Sequence, residues 1–283
     1  MKRFFSYALL FASTLIFTAC PNDDEDYNDK WTHFSELQIN DIPTLRFTYN
    51  DNGTVSEMIY NQNMHYSYAY FPSFIQVYLN DIPKYRCLLN NKIITEIRIG
   101  DSETVEWVFK YDNNQLSEAS EVFWGRKDYM FTWENGNIVK CDSHDRGPEY
   151  WMIPNSLPNS ASNYLFFNPL VYALKMGLGL GSFSVISDTE GEWVWFLGII
   201  NYFGKQPVNL VSGVYSYNVN AFYIDDLSGR SGRTELWEGC EYTFELSNGK
   251  ILNVNRSEKQ RYPDGEFVHD SEIWKGQYRL TWN

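Results

Sequence analysis

Phe131-Thr132-Trp133-Glu134-Asn135-Gly136-Asn137-Ile138 reads as one β-hairpin. Two aromatic residues flank a polar one, an Asn-Gly turn follows, and a β-branched residue starts the return strand. The pattern recurs. Phe47-Thr48-Tyr49 runs through Asn50-Asp51-Asn52-Gly53 to Val55, and Phe109-Lys110-Tyr111 runs through Asp112-Asn113-Asn114 to Leu116. Tyr85-Arg86-Cys87 leads through Asn90-Asn91 to Ile93, and Phe244-Glu245-Leu246 through Ser247-Asn248-Gly249 to Ile251. Tyr68-Ala69-Tyr70, followed by Phe71-Pro72-Ser73 and Phe74-Ile75, is a weaker copy. The copies begin at 47, 68, 85, 109 and 131. A period of about 20 residues is one hairpin per repeat.

Successive hairpins on short turns give an all-β fold. The expectation is an antiparallel up-and-down meander of β-hairpin repeats, forming a curved sheet or a partly closed barrel. The incoming strands alternate: Leu45, Phe47 and Tyr49 share one face, and Arg46, Thr48 and Asn50 the other. One face is thus buried and the other wet. The outgoing strands, such as Ser117, Glu118, Ser120 and Glu121, are more polar and leave their facing open. An apolar sheet face must be covered, by curling, closing or receiving a lid.

Residues 143–212 interrupt the hairpins and are rich in Pro, Asn and apolar residues. They are expected to form a helical and irregular insert that covers the apolar face, with a short helix near 170–176 and then an apolar piece over 193–203. Asn168 would cap the helix, Pro169 would occupy its first turn, and Gly177 would end it. A membrane-spanning helix over 164–186 is excluded by Pro169, Lys175, Gly177, Gly179 and Gly181. Strands resume over 214–223 and 234–246, and finish with 251–255 and 267–282.

The N-terminus has its own logic. Met1-Lys2-Arg3 precedes an apolar run, and Thr18-Ala19 precede Cys20. A basic start, a short apolar stretch and small residues describe an export signal. The Cys placed directly after them resembles the lipobox of bacterial lipoproteins, although Phe17 stands where Leu is usual. The resemblance implies removal of residues 1–19 and attachment of lipid to Cys20, which would tether the protein to a membrane. Residues 20–32 are then an acidic, disordered tether, and 33–283 a single β-hairpin-repeat domain.

The chain carries a formal charge of −13 with 18% aromatic residues. The leader holds Lys2 and Arg3 and no acid, so the remainder is more acidic still. That excludes nucleic acid, whose binding needs clustered cations, and any second, electrostatic attachment to anionic lipid. If Cys20 carries lipid, Cys87, Cys141 and Cys240 remain, and their pairing cannot be read from the sequence. No CxxC spacing supports zinc or redox chemistry.

The hairpin copies, together with Leu197-Gly198-Ile199-Ile200-Asn201-Tyr202-Phe203-Gly204 and Asn209-Leu210, resemble a family of Bacteroidetes lipoproteins described as having a porin-like fold. The resemblance covers most of the chain after the leader. It implies a curved β fold and an envelope address, and supplies no catalytic residues. The hairpins are also similar to the Tyr-Asp repeats of large secreted bacterial shells, but there are too few copies for that architecture. Asp23, Asp24, Glu25 and Asp26 are similar to the acidic signal that sends such lipoproteins to the outside of the outer membrane; a solvated tether has the same composition.

No catalytic, cofactor-binding or metal-ligating set is expected. His33, His65, His144 and His269 are scattered, and Asp142-Ser143-His144-Asp145 is contiguous, whereas a working triad converges from separate segments. The glycines at 177, 179 and 181 lack the Lys of a phosphate loop. Asp225-Asp226 and the Glu190/Glu192 pair sit in turn-like contexts, and sequence does not show whether any carboxylates face each other across a cleft. Trp124, Trp151, Trp193, Trp195, Trp237 and Trp274 are candidates for stacking on sugar rings, with ordinary core packing as the alternative.

The functional expectation is therefore an outer-membrane-anchored, surface-exposed lipoprotein that is a non-enzymatic binding or envelope-associated protein, with a glycan or a protein as its candidate ligand. A secreted hydrolase acting on glycans or peptides and a structural or adhesion module are the alternatives. Cut from its anchor, the domain is expected to be soluble and not to be a membrane-spanning barrel. Arg46, Thr48, Lys110 and Thr132 oppose the aromatic face, where a spanning strand would be apolar.

Overall fold

The computed structural model describes residues 33–123, 127–143, 149–159, 167–177, 191–225, 230–247, 250–261 and 275–282. Its first strands are β1 (Phe34–Ile39), β2 (Ile42–Tyr49), β3 (Val55–Tyr60), β4 (Met64–Tyr70), β5 (Phe74–Leu79) and β6 (Ile82–Asn90). Next come β7 (Ile93–Ile99), β8 (Val105–Asp112), β9 (Gln115–Glu121), β10 (Lys127–Glu134), β11 (Asn137–Ser143) and β12 (Glu149–Pro158). A helix, α1 (Pro169–Gly177), and a 3₁₀ segment, Gly191–Tyr202, follow. The chain ends with β13 (Asn209–Asp225), β14 (Arg230–Ser247), β15 (Lys250–Arg261) and β16 (Lys275–Trp282).

Every strand pairs antiparallel with its sequence neighbours, and β1 closes on β16, so the sixteen strands form a closed barrel. The seam is in register at Leu37–Leu280 and Ile39–Tyr278. The all-β up-and-down expectation holds, and closure is complete rather than partial. Closure removes the sheet edges that an open meander would expose.

The turns follow from asparagine chemistry. Asn40-Asp41, Asn80-Asp81, Asn91-Lys92, Asn113-Asn114 and Asn135-Gly136 all have positive φ at both positions. This is the turn whose twist matches that of a two-residue hairpin, and Asn tolerates it best among residues with a Cβ. A second regularity explains the ambiguous outgoing strands. Near the turn, most hairpins carry a bulge that leaves one residue of the return strand without a partner, for example Ser56, Thr95, Ser117 and Val139. The extra residue shifts the alternation by one. In β9, Leu116 and Ala119 are therefore both buried although three positions apart.

The inner face is apolar. Leu45, Phe47, Met58, Tyr66, Val77, Cys87, Ile97, Phe109, Phe131, Val214 and Val254 are buried on it. A barrel of sixteen strands is too wide for its own side chains to fill. The insert fills it. Residues Leu170, Val171, Tyr172, Ala173 and Leu174 of α1 are buried, as are Val194, Trp195, Phe196, Leu197, Ile199 and Ile200 of the 3₁₀ segment. Helix α1 packs toward β9–β13, and the 3₁₀ segment toward β3 and β4. Phe203 meets Phe109 edge to face at 5.2 Å. The expected lid is thus an internal plug.

The helix forms as its residues dictate. The Asn168 side chain accepts a 3.0 Å hydrogen bond from the Val171 amide, Pro169 is the first helical residue, and Gly177 the last. The chain then leaves the plug across one end of the barrel. Lys205 N–H donates to the Asn114 carbonyl at 2.7 Å, and Val208 N–H to Gly136 at 3.1 Å. Gly204 has φ +80°, and a Cβ there would lie 2.4 Å from the Asn114 oxygen.

The insert is shorter than 143–212. β12 is a wall strand, hidden in the sequence by Pro154 and Pro158, which sit at irregularities of its ladder with β13. β13, β14 and β15 also outrun the expected limits. The stretch from 267 to 274 lies outside the described residues, as do residues 1–32 with Cys20, Asp23, Asp24, Glu25 and Asp26.

Candidate functional site

Among the described residues the interior is mainly apolar packing, with Lys175 and Arg256 as buried cations. Cys87, Cys141 and Cys240 are buried thiols and form no disulfide with one another. Burial pushes the Cys87 thiol up, and burial with the Asp142 carboxylate does the same at Cys141, so neither is a ready nucleophile. Arg256 is also buried and donates from Nε to the Cys240 sulfur at 3.2 Å, close to Tyr242 and Tyr278. No group of three or more potential ligands is placed to hold a metal among the described residues. His33 stacks on Tyr49, and His65 lies 3.6 Å from Glu57.

The outer wall is laced with ion pairs, with Ile59, Met130 and Ile153 exposed among them. Arg46–Glu36 and Lys110–Glu118 are each 2.7 Å, Arg279–Asp41 is 3.0 Å, and Arg86–Asp101 is 3.1 Å. Arg98 pairs with Glu96 and Glu103. Lined up this way, the wall presents cations and carboxylates where a porin presents aliphatic side chains.

On β11–β14 this wall carries an aromatic patch. Lys140, Trp151, Tyr215 and Gly239 are successive register partners across the four strands. Their chain neighbours Cys141, Met152, Val214 and Cys240 are buried inside, so alternation turns the row outward. The Lys140 ammonium stands 4.9 Å from the Trp151 ring centroid. It also contacts Asp142 at 2.9 Å and Glu149 at 3.2 Å. Burial alone would lower the pKa of Lys140, but these two carboxylates outweigh it and raise it.

Tyr215 lies along the sheet over two glycines. A Cβ on Gly213 would come within 2.8 Å of its ring, and one on Gly239 within 2.7 Å. Its hydroxyl bonds the Glu241 carboxylate at 2.6 Å. Tyr215 and Trp151 are each half-buried. Trp237 stands in β14 opposite Tyr217, two residues from Gly239.

The structure therefore separates the candidate tryptophans. Trp151 is on the outer patch, and the backbone of Trp237 belongs to the same strands. Trp195 is a correction: it is 5% exposed and stacked on Tyr85 at 4.2 Å, so the plug uses it as core. Trp193 is the third residue of the 3₁₀ segment, whereas Trp124 and Trp274 lie outside the described residues. His144, Asp145, Glu190 and Asp226 also lie outside them. Sequence reasoning missed Tyr215, Lys140 and Glu241. The available signal was Gly213-Val214-Tyr215, a glycine two places before an aromatic in a strand, where the ring can cover the bare backbone.

No family model matches the chain, and no curated protein matches its sequence. Solved structures do match its fold. A porin-like protein from Bacteroides uniformis aligns with a TM-score of 0.55 and 12% identity, covering 88% of this chain and 98% of that one. A porin-like protein from Bacteroides vulgatus aligns with a TM-score of 0.51 and 10% identity, covering 89% and 99%. The fold is porin-like. At these identities the likeness concerns architecture alone.

Proposed function

We propose that the protein is an outer-membrane lipoprotein that binds a ligand on the outer wall of its barrel and neither conducts nor catalyses. In this reading lipid on Cys20 tethers it, Asp23, Asp24, Glu25 and Asp26 direct it to the cell exterior, and the barrel stands in water.

The observation that carries the reading is the polarity of the wall. A spanning barrel is apolar outside and polar within. Here Phe47, Phe109 and Phe131 are buried inside, and Arg46, Lys110 and Thr132 are exposed outside. Each cation at a bilayer midplane would cost about 2–4 kcal/mol. The plug occupies the lumen that a channel would keep open. The porin-like neighbours support an envelope address through their shared architecture.

The test is expression from residue 28. The protein should remain in solution without detergent, show a β-dominated far-ultraviolet spectrum, and produce no conductance steps in a planar bilayer. A strict need for detergent, or stable conductance, would overturn the reading.

A further inference from the structure

We infer that the patch formed by Trp151 and Tyr215 is a binding platform for a neutral, pyranose-based glycan. The inference rests on the reading above that the outer wall faces water, and it names the ligand class.

The shape comes first. Tyr215 lies over Gly213 and Gly239, the positions where a Cβ would collide with its ring. Its hydroxyl is held by Glu241 at 2.6 Å. The exposed part of a ring lying this way is the face turned from the sheet. A ring that is flat and pinned loses little conformational entropy when a ligand stacks on it. The apolar C–H face of a pyranose matches such a surface, because the partner is itself flat and carries its hydroxyls at the rim.

The rim chemistry agrees. Lys140 stands against Trp151 with Asp142 and Glu149 on its ammonium, and Glu241 holds Tyr215, so charged donors and acceptors lie beside the rings. Charge then narrows the class. Three carboxylates outnumber the single ammonium, so uronic-acid or sulfated chains would meet repulsion. The Lys140 ammonium, 4.9 Å from the Trp151 centroid, covers one face of that ring, so the stacking surface is the outward face of Tyr215 with Trp151 at its edge. A single ring lying on the sheet lacks the converging ring faces of a cation cage. A neutral sugar satisfies all of these conditions.

Gly213 and Gly239 have a structural role as well, since the Tyr215 ring shields their backbone. The experiment separates that role from binding. The full chain, purified from membranes in mild detergent, is titrated calorimetrically with cellohexaose, mannohexaose, chitohexaose and the anionic hexagalacturonate. At least one neutral oligosaccharide should bind, and hexagalacturonate should not. Trp151→Ala and Tyr215→Ala should each weaken binding by about tenfold or more, whereas Tyr215→Phe, which keeps the ring, should stay within about threefold. Phe71→Ala, at an exposed aromatic away from the patch, should leave binding unchanged. If Tyr215→Ala loses its β spectrum, Trp151→Ala and Tyr215→Phe decide the matter. Failure of all three neutral probes, equal binding by hexagalacturonate, or unchanged binding in Trp151→Ala would overturn the inference. Failure of the probes in a protein that still takes up lipid and stays in water without its anchor would remove the ligand class and leave the lipoprotein reading intact.

Discussion

The hydroxyl of Tyr68, on the inner face of β4, donates a 2.7 Å hydrogen bond to the carbonyl of Trp195 in the plug, 127 residues away. Gly198 makes room for the same ring: a Cβ there would lie 2.3 Å from the Tyr68 Cζ. Wall and plug are fitted to each other at this point. Tyr68→Phe would remove this buried hydrogen bond, which costs about 0.5–1.5 kcal/mol. Gly198→Ala would force overpacking, at about 1–3 kcal/mol. Urea denaturation should show both losses. Unchanged midpoints in both variants would mean that the plug does not sit against Tyr68 in solution.

Acid should weaken the barrel in part through His33. Burial lowers its pKa from 6.5, and its ring stacks on Tyr49 at 4.3 Å. The unfolded chain therefore takes up the proton more readily as the pH falls. The stabilisation is present above the unfolded value and is lost as pH falls through the folded one. Glu36 acts in the same direction at lower pH, because hydrogen bonds from Gln38 and Arg46 hold its carboxylate below 4.5. His33→Phe keeps the stack and removes the titration. Its melting temperature should change less than that of the parent between about pH 7 and about pH 5. Identical slopes would exclude His33 as a contributor.

Lipid on Cys20 is open to a direct assay. Metabolic labelling with a fatty-acid probe should mark the parent protein and not Cys20→Ser. Equal labelling of the two would show that the lipid, if any, sits elsewhere.

The acidic run is tested separately. With Asp23, Asp24, Glu25 and Asp26 replaced by Ala, the protein should become protected from protease added to whole cells while its labelling persists. A mutant still shaved at the parental rate would reduce the run to a solvated tether.

Much of the fold was legible because its determinants are local. An Asn-Gly or Asn-Asp pair between alternating strands specifies a hairpin within a few residues, and Asn168, Pro169 and Gly177 mark the limits of α1. The proline-bearing strand β12 was not legible, since Pro154 and Pro158 mimic loop chemistry where the ladder tolerates irregularity. Nor was the facing of the return strands, because a bulge such as that at Ser117 becomes visible only when the partner strand is in place.

The candidate site was legible in one residue. Trp151 stood out as an aromatic, but Trp195 has the same side chain and is core. The difference is the register of β12 against Lys140 and Tyr215 on one side and the seating of the 3₁₀ segment against Tyr85 on the other. Side-chain identity cannot distinguish a ring on the outer wall from a ring in a plug.

By itself the sequence determined the antiparallel order of the hairpins, turns such as Asn113-Asn114 and Asn135-Gly136, the short capped helix and the apolar character of one sheet face. These depend on propensities and alternation over fewer than about ten residues. Only the tertiary structure decided that β1 meets β16, that the insert enters the lumen, and that Lys140, Trp151, Tyr215 and Gly239 share a row. Those outcomes depend on contacts between segments far apart in the chain, where the need to fill a wide barrel and to cover every strand edge selects one arrangement.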